Sequence, residues 1–278
     1  MSVLVAGSLH LDVVLRAPHL PAPDETVTGS DVAYVVGGKG GNQAMAAARM
    51  GAQVAFAGRI GSDRFGGMIR DALVTSGVDI AQLQTDPGPS GMSAAIVDDS
   101  GEYGAVIVSA ANLNIDPDRI DIPSGTTHLL LQNEVPEIVN IALAQRARSM
   151  GAAVWLNAAP ARQLSPDLIE TLDLLIVNRV EAASYADMPT DTLTTLGADG
   201  VRYGNHSFPA HQVDVVSTHG AGDMFVGALA EQTASGASMD KAIAFAQAAA
   251  ALYVSIPVDM RDQLNADKVH AFAAQPSP

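Results

Sequence analysis

His128-Leu129-Leu130-Leu131-Gln132, residues 135–150 closed by Gly151, and then Ala153-Val154-Trp155-Leu156-Asn157 form the stretch on which the fold turns. Two short apolar runs have the length of buried strands, and the segment between them has helical composition and ends on a helix-stop glycine. A strand, a crossover helix and a second strand make a parallel pair covered by the helix. Working outward, further strand-like runs lie at residues 3–6, 54–57 and 174–178. Helical segments 42–50, 68–76 and 223–235 are followed by Gly51, Gly77 and Gly236. The alternation predicts a three-layer α/β/α sandwich with a mostly parallel central sheet, in one domain spanning residues 1–278.

Two regions interrupt the alternation. Residues 12–16 with 26–36, and residues 92–98 with 103–109 joined by a turn at Asp99-Ser100-Gly101-Glu102, read as antiparallel strands. They predict a small β-sheet inserted at about 12–36 and 92–109, placed to close over a cleft as a lid. The tail, 275–278, is expected to fray.

Composition narrows the function. The chain has 278 residues, 48% hydrophobic and 16% charged, enough to bury a large core. A formal charge of −15 argues against nucleic acid, whose phosphates are met by clustered Lys and Arg. No run approaches the length of a membrane span, and the apolar N-terminal residues lack the basic stretch of a secretion signal. Without cysteine, disulfides, thiolate metal sites and cysteine nucleophiles are excluded, and a cytoplasmic location is the expectation.

The P-loop pattern fails because Lys39 is followed by Gly40, and the dinucleotide fingerprint fails at Gln43. What remains is Gly220-Ala221-Gly222-Asp223 at the start of a helix. Small residues let a phosphate approach the backbone, and the first helical N–H groups point at it. A carboxylate there would be held ionised by the helix field, ready to accept a hydroxyl proton. Taken alone, these four residues also fit an ordinary capped helix. Asn178, at the end of an apolar strand, and Glu181 would face the sheet edge where parallel sheets bind ligands.

Together with Gly37-Gly38-Lys39-Gly40-Gly41-Asn42-Gln43-Ala44, the Gly-Ala-Gly-Asp segment resembles the paired signatures of the ribokinase-like (PfkB) carbohydrate kinases. Further matches are Gly7-Ser8-Leu9-His10-Leu11-Asp12, Asn157-Ala158-Ala159-Pro160-Ala161-Arg162, Asn178-Arg179-Val180-Glu181 and Thr195-Leu196-Gly197-Ala198-Asp199-Gly200, so the likeness covers nearly the whole chain. The resemblance implies a ribokinase-like fold and transfer of the γ-phosphate of ATP to a sugar hydroxyl, most closely that of ribose or a related pentose. Asp223 would be the base, and Gly220, Ala221 and Gly222 the anion hole. His10, Asp12, Gly38, Lys39, Asn42 and Glu134 would hold the sugar. Thr195, Gly197, Gly200 and Gln247 would lie along the nucleotide. Asn178 and Glu181 would organise Mg²⁺ through water rather than ligate it directly. A homodimer through the lid strands is also implied.

Three departures stand out. His10 occupies a position where the family usually carries Asn, which leaves a sugar other than ribose open. Ser217-Thr218-His219 replaces Asp-Thr-x, and Ser255-Ile256-Pro257-Val258-Asp259 replaces a Gly- and Ser-containing loop. In the family these two segments surround a monovalent cation, and losing the carboxylate puts potassium activation in doubt. The segment 185–196 is too short for the helix that usually precedes the Thr-Leu-Gly strand. A nucleoside kinase on the same scaffold, with Tyr34 as the chief aromatic to stack a base, and a non-catalytic sugar or nucleotide sensor both remain open.

Overall fold

The computed structural model describes residues 2–100 and 102–274, so Gly101 of the expected turn and the 275–278 tail lie outside the described residues. In chain order the strands are β1 (Ser2–Ala6), β2 (His10–Ala17), β3 (Asp31–Gly37), β4 (Gln53–Gly61), β5 (Asp79–Asp86), β6 (Met92–Asp98), β7 (Tyr103–Val108), β8 (Thr126–Gln132), β9 (Ala153–Asn157), β10 (Leu174–Asn178), β11 (Thr192–Thr195), β12 (Val201–Tyr203) and β13 (His206–Phe208). The helices are α1 (Lys39–Arg49), α2 (Arg64–Thr75), α3 (Glu137–Ser149), α4 (Pro166–Ile169), α5 (Ala221–Ala234), α6 (Met239–Ser255) and α7 (Ala266–Ala273).

Among the described residues, nine strands form one sheet in the order β13-β12-β11-β10-β9-β8-β1-β4-β5. It is parallel from β11 to β5, and the β12–β13 hairpin closes one edge antiparallel. Alternate strand residues face opposite cores, as the period-two geometry of a strand requires. Val3 and Val5 join Phe56, Leu130 and Ile176 against α1, α2, α5, α6 and α7. Leu4 and Ala6 join Leu129, Leu131 and Leu175 against α3 and α4. Those are the three layers of the expected ribokinase-like sandwich.

The remaining strands form a four-stranded sheet, β3-β2-β6-β7. Its hairpins β2–β3 and β6–β7 are antiparallel, but β2 and β6 run parallel, against the all-antiparallel expectation. The reason is topological. After β3 the chain passes through α1, β4, α2 and β5 before returning to the small sheet, so β6 arrives by a long crossover and not by a hairpin. The first strand-like run also shortened, since residues 26–30 lie outside β3. The segment between β10 and β11 carries only a 3₁₀ turn, Glu181–Tyr185, in agreement with the short stretch noted in the sequence.

α1 starts three residues before the expected Asn42, despite glycines at 40 and 41. Its first N–H, on Lys39, donates to Glu134 Oε2 at 2.9 Å. Glu134 follows β8 and also accepts from the Ser8 hydroxyl after β1. The carboxylate thus caps α1 from another part of the chain, at the switch point between β1 and β8 where the sheet order reverses.

Candidate active site

Asp223 sits in the first turn of α5 and faces α1. Asn42 Nδ2 donates to its Oδ2 at 3.1 Å, and Gln43 Nε2 donates to its Oδ1 at 3.0 Å. Residues that are neighbours on one helix therefore hold both oxygens of one carboxylate on another. The approach depends on Gly227, one turn further along α5: a Cβ there would lie 2.6 Å from Ala46 Cβ and 2.7 Å from the Ala47 nitrogen. Real Cβ atoms essentially never make contacts this short, so only glycine lets the two helices come this close.

Behind Gln43 runs a chain of buried amides that sequence reading did not single out. The Gln43 amide also donates to Asn157 Oδ1 at 3.0 Å, and its oxygen accepts from Gln132 Nε2 at 2.9 Å. Asn140 in turn donates to the Gln132 carbonyl at 2.8 Å. Gln43, Gln132 and Asn140 are fully buried. Each donor has an acceptor fixed by a core element, so the rotamer that Gln43 offers to Asp223 is set by the sheet itself.

Burial pushes the Asp223 carboxyl above the ordinary carboxylate value. The Lys39 ammonium and the Gln43 and Asn42 amides oppose that shift, while the Glu134 charge adds to it. The helix terminus and the nearby positive groups favour the ionised form, and desolvation acts against them and sets the direction of the shift. A raised value makes the ionised form a stronger proton acceptor.

At the expected anion hole Gly220 takes a left-handed conformation, φ 78°, as the N-cap of α5. The Ala221 N–H turns back onto the Thr218 carbonyl at 3.2 Å and is not free for a ligand. Among the described residues, no acceptor meets the N–H groups of Gly220, Gly222 and Asp223. Three donors remain, not the full run of the motif.

Two clefts meet at this point. One, of about 460 Å³, runs from Lys39 and Asp223 past Gly220 and Gly222 to Asn178, Glu181, Thr195 and Gly197. The other, about 320 Å³ and mainly apolar, continues from Thr195, Gly197 and Gly200 to Phe225, Gln247 and Val254. Asn178 and Glu181 are locked into a turn: Asn178 Oδ1 accepts from the Val180 and Glu181 nitrogens, and Glu181 Oε2 accepts from the Asn178 nitrogen. Gln247 lines the apolar cleft, but its amide nitrogen is spent on the Phe208 and Pro209 carbonyls. Arg179, an unassigned part of the Asn178 motif, also lines the first cleft and pairs with Asp199 while donating to the Leu196 carbonyl at 2.7 Å.

The expected sugar ligands lie on β2, at the β3–α1 junction, on α1 and just after β8. Asp12 on β2 accepts a hydrogen bond from Ser93 on β6 and packs against Gly37. His10, also on β2, is buried, and its Nε2 meets no partner among the described residues. Gly38, with φ 87°, turns the chain from β3 into α1 beside the His10 nitrogen. Lys39, Asn42 and Glu134 are brought together there. Tyr34 is exposed, with its ring 6.4 Å from that of Phe65.

Comparison with known proteins agrees with this geometry. Residues 1–258 match the family described as pfkB family carbohydrate kinase. The chain is 34% identical over 271 residues to a ribokinase of Bacillus subtilis, covering 91% of this chain and 92% of that one. It is also 34% identical over 282 residues to a ribokinase of Haemophilus influenzae, with the same coverage. Among solved structures, a ribokinase of Thermotoga maritima superposes with a TM-score of 0.89 at 27% identity, over 99% of this chain and 100% of that one. An Arabidopsis thaliana ribokinase complexed with ribose and ATP gives 0.88 at 26% identity, over 99% of each chain. A carboxylate at a helix start with unpaired N–H groups, the paired glycine-rich segments and a family match over most of the chain converge on one assignment: the protein belongs to the pfkB family of carbohydrate kinases, phosphotransferases that act on an alcohol group.

Proposed function

We propose that this chain transfers the γ-phosphoryl group of ATP to the primary hydroxyl of D-ribose or a related pentose, giving the sugar 5-phosphate and ADP. The observation that carries the reading is Asp223, held by Asn42 and Gln43 at the junction between the glycine-rich sugar region and the anion hole. In the reaction Asp223 takes the hydroxyl proton while the oxygen attacks the γ-phosphorus in line. An oxygen–phosphorus bond forms as the bond to the β-phosphate oxygen breaks, and ADP leaves with that electron pair. The N–H groups of Gly220, Gly222 and Asp223 stabilise the charge on the transferring group.

Asp12, Lys39, Asn42 and Glu134, with His10 and the Gly38 turn, supply the mix of acceptors and donors that vicinal hydroxyls need. The apolar cleft beside Phe225 and Val254 suits the adenine ring, with Thr195, Gly197 and Gly200 along the phosphates and ribose. Glu181 and Asn178 would hold hydrated Mg²⁺ near the phosphates, where it supplies charge neutralisation when bound.

The four-stranded sheet acts in this reading as a lid over the sugar, and a second copy covers its outer face. Val32, Tyr34, Val106 and Val108 share by strand register the face opposite Asp12, and all four are exposed. An apolar β surface with open edges favours pairing with a copy of itself.

The reading is tested by ADP formation from MgATP against pentoses, hexoses, sugar acids and nucleosides. Ribose or another pentose is expected to give the highest kcat/KM. A preference for nucleosides, or no turnover of any of them, contradicts it.

A further inference from the structure

Arg261 is the buried charge that the mechanism does not use. It lies in the 3₁₀ turn Val258–Gln263 after α6 and is 4% exposed. No carboxylate among the described residues forms an ion pair with it. Its Nη1 donates to the His219 carbonyl at 3.0 Å and its Nη2 to the Ser217 carbonyl at 2.6 Å. The guanidinium carbon lies 4.2 Å over the ring of Tyr253, whose hydroxyl is 2.9 Å from where a Cβ on Gly220 would sit. On the far side of the loop, the Val216 and Ser217 nitrogens donate to the Val254 carbonyl at 2.8 and 3.3 Å. The loop entering the anion hole is thus clamped between the end of α6 and one positive side chain.

The Ser217–His219 loop and Ser255–Asp259, which ends two residues before Arg261, are the segments that, by family resemblance, would surround a monovalent cation, and the residues present do not fit one. Ser217 offers no carboxylate, and the Ser217 and His219 carbonyls already face a guanidinium. A buried positive charge without an acidic partner is costly, and here two carbonyl dipoles and a π face converge on it. We infer that the Arg261 guanidinium is a tethered cation for the Ser217–Gly220 loop, fixing the Gly220 and Gly222 donors and making the enzyme independent of potassium. Arg261 touches no reacting atom and acts as a positioning residue, a role that rests on the reading of this loop as the phosphate end of the site.

The test compares the full-length native protein with Arg261→Met, which keeps the apolar stem over Tyr253 and removes the charge, and with Arg261→Lys, which keeps the charge. ADP formation from MgATP and D-ribose, and calorimetric binding of ADP, are measured in potassium chloride and in tetramethylammonium chloride. Native kcat and ADP affinity are expected to agree within about twofold between the two salts. Arg261→Met is expected to lose about tenfold or more in kcat in tetramethylammonium, less than the ~10²–10³ typical of a deleted direct donor, with the KM for ribose little changed. Added guanidinium ion or potassium should restore much of the loss. Arg261→Lys should stay insensitive to potassium, and it decides the matter if Arg261→Met shows no cooperative thermal transition. Potassium activation of the native protein, or full kcat of Arg261→Met without either cation, would overturn the inference. ADP binding needs no sugar, so a native protein that ignores ribose but binds ADP equally in the two salts refutes the substrate reading alone.

Discussion

Gln43→Leu tests how the interior sets the chemistry, because Gln43 is fully buried and joins Asp223 to three core elements. Leucine matches glutamine roughly in volume but removes two donor contacts at 3.0 Å and one acceptor contact at 2.9 Å. The Gln132 amide would be left without its acceptor and Asn157 Oδ1 without its donor. Each stranded buried group costs about 1–3 kcal/mol, and leucine burial offsets a part, so a net loss of roughly 2–4 kcal/mol in unfolding free energy is expected. The effect on activity has a definite sign. Burial already raises the Asp223 carboxyl, and the Gln43 amide is among the groups that lower it. Asp223 must be ionised to take a proton, so activity falls as pH drops through its pKa, and losing the amide moves that acid limb to higher pH. Urea unfolding monitored by circular dichroism gives the first quantity, and kcat against pH between about 5 and 9 gives the second. Stability within about 0.5 kcal/mol of native, together with an unmoved acid limb, would refute the idea that this amide chain is satisfied only through Gln43 and tunes the base.

Two further outcomes follow from the packing. Gly227→Ala forces α5 away from α1 by roughly 1 Å, stretching the Asn42 and Gln43 contacts to Asp223 beyond hydrogen-bonding range. It should cost about 1–3 kcal/mol in urea unfolding and lower kcat more than it raises the KM for ATP. Val106→Lys places a charge on the face of the four-stranded sheet that carries Val32 and Tyr34, opposite Asp12. If that face joins two copies, sedimentation equilibrium should find native dimer and mutant monomer, with the mutant's secondary structure unchanged.

The parallel core was legible because each half of the argument is local. Leu129–Leu131 and Val154–Leu156 are uninterrupted apolar runs, and Gly151 marks the end of the helix between them. The parallel pairing of β2 with β6 was not legible, since it depends on where a long crossover lands. The early start of α1 was hidden for a similar reason: Gly40 and Gly41 read as loop, and the Glu134 cap that stabilises Lys39 lies 95 residues away. α7 did carry a signal, Asn265 followed by Lys268, and Asn265 Oδ1 accepts from the Lys268 nitrogen at 3.1 Å. Within the site, motif order identified Asp223 and Asn42. Gln43, Gln132 and Asn140 escaped notice because amide side chains read as surface polarity, although Gln43 opens an alanine run and Gln132 ends a leucine run. The rise in the Asp223 pKa was hidden too, since it follows from burial and burial is a tertiary fact.

Asp223→Asn gives the most direct test of the central claim. Its two oxygens both accept from side-chain amides, and the Asn42 amide can turn over to meet the new NH₂, so the site is expected to stay folded. With MgATP and the best sugar of the panel, kcat should fall by about 10²–10⁴-fold, the usual contribution of a general base. ADP affinity by calorimetry should remain within about threefold, less than 1 kcal/mol. Retention of more than about a tenth of native kcat, with ADP binding intact, would contradict the assignment of Asp223 as the base.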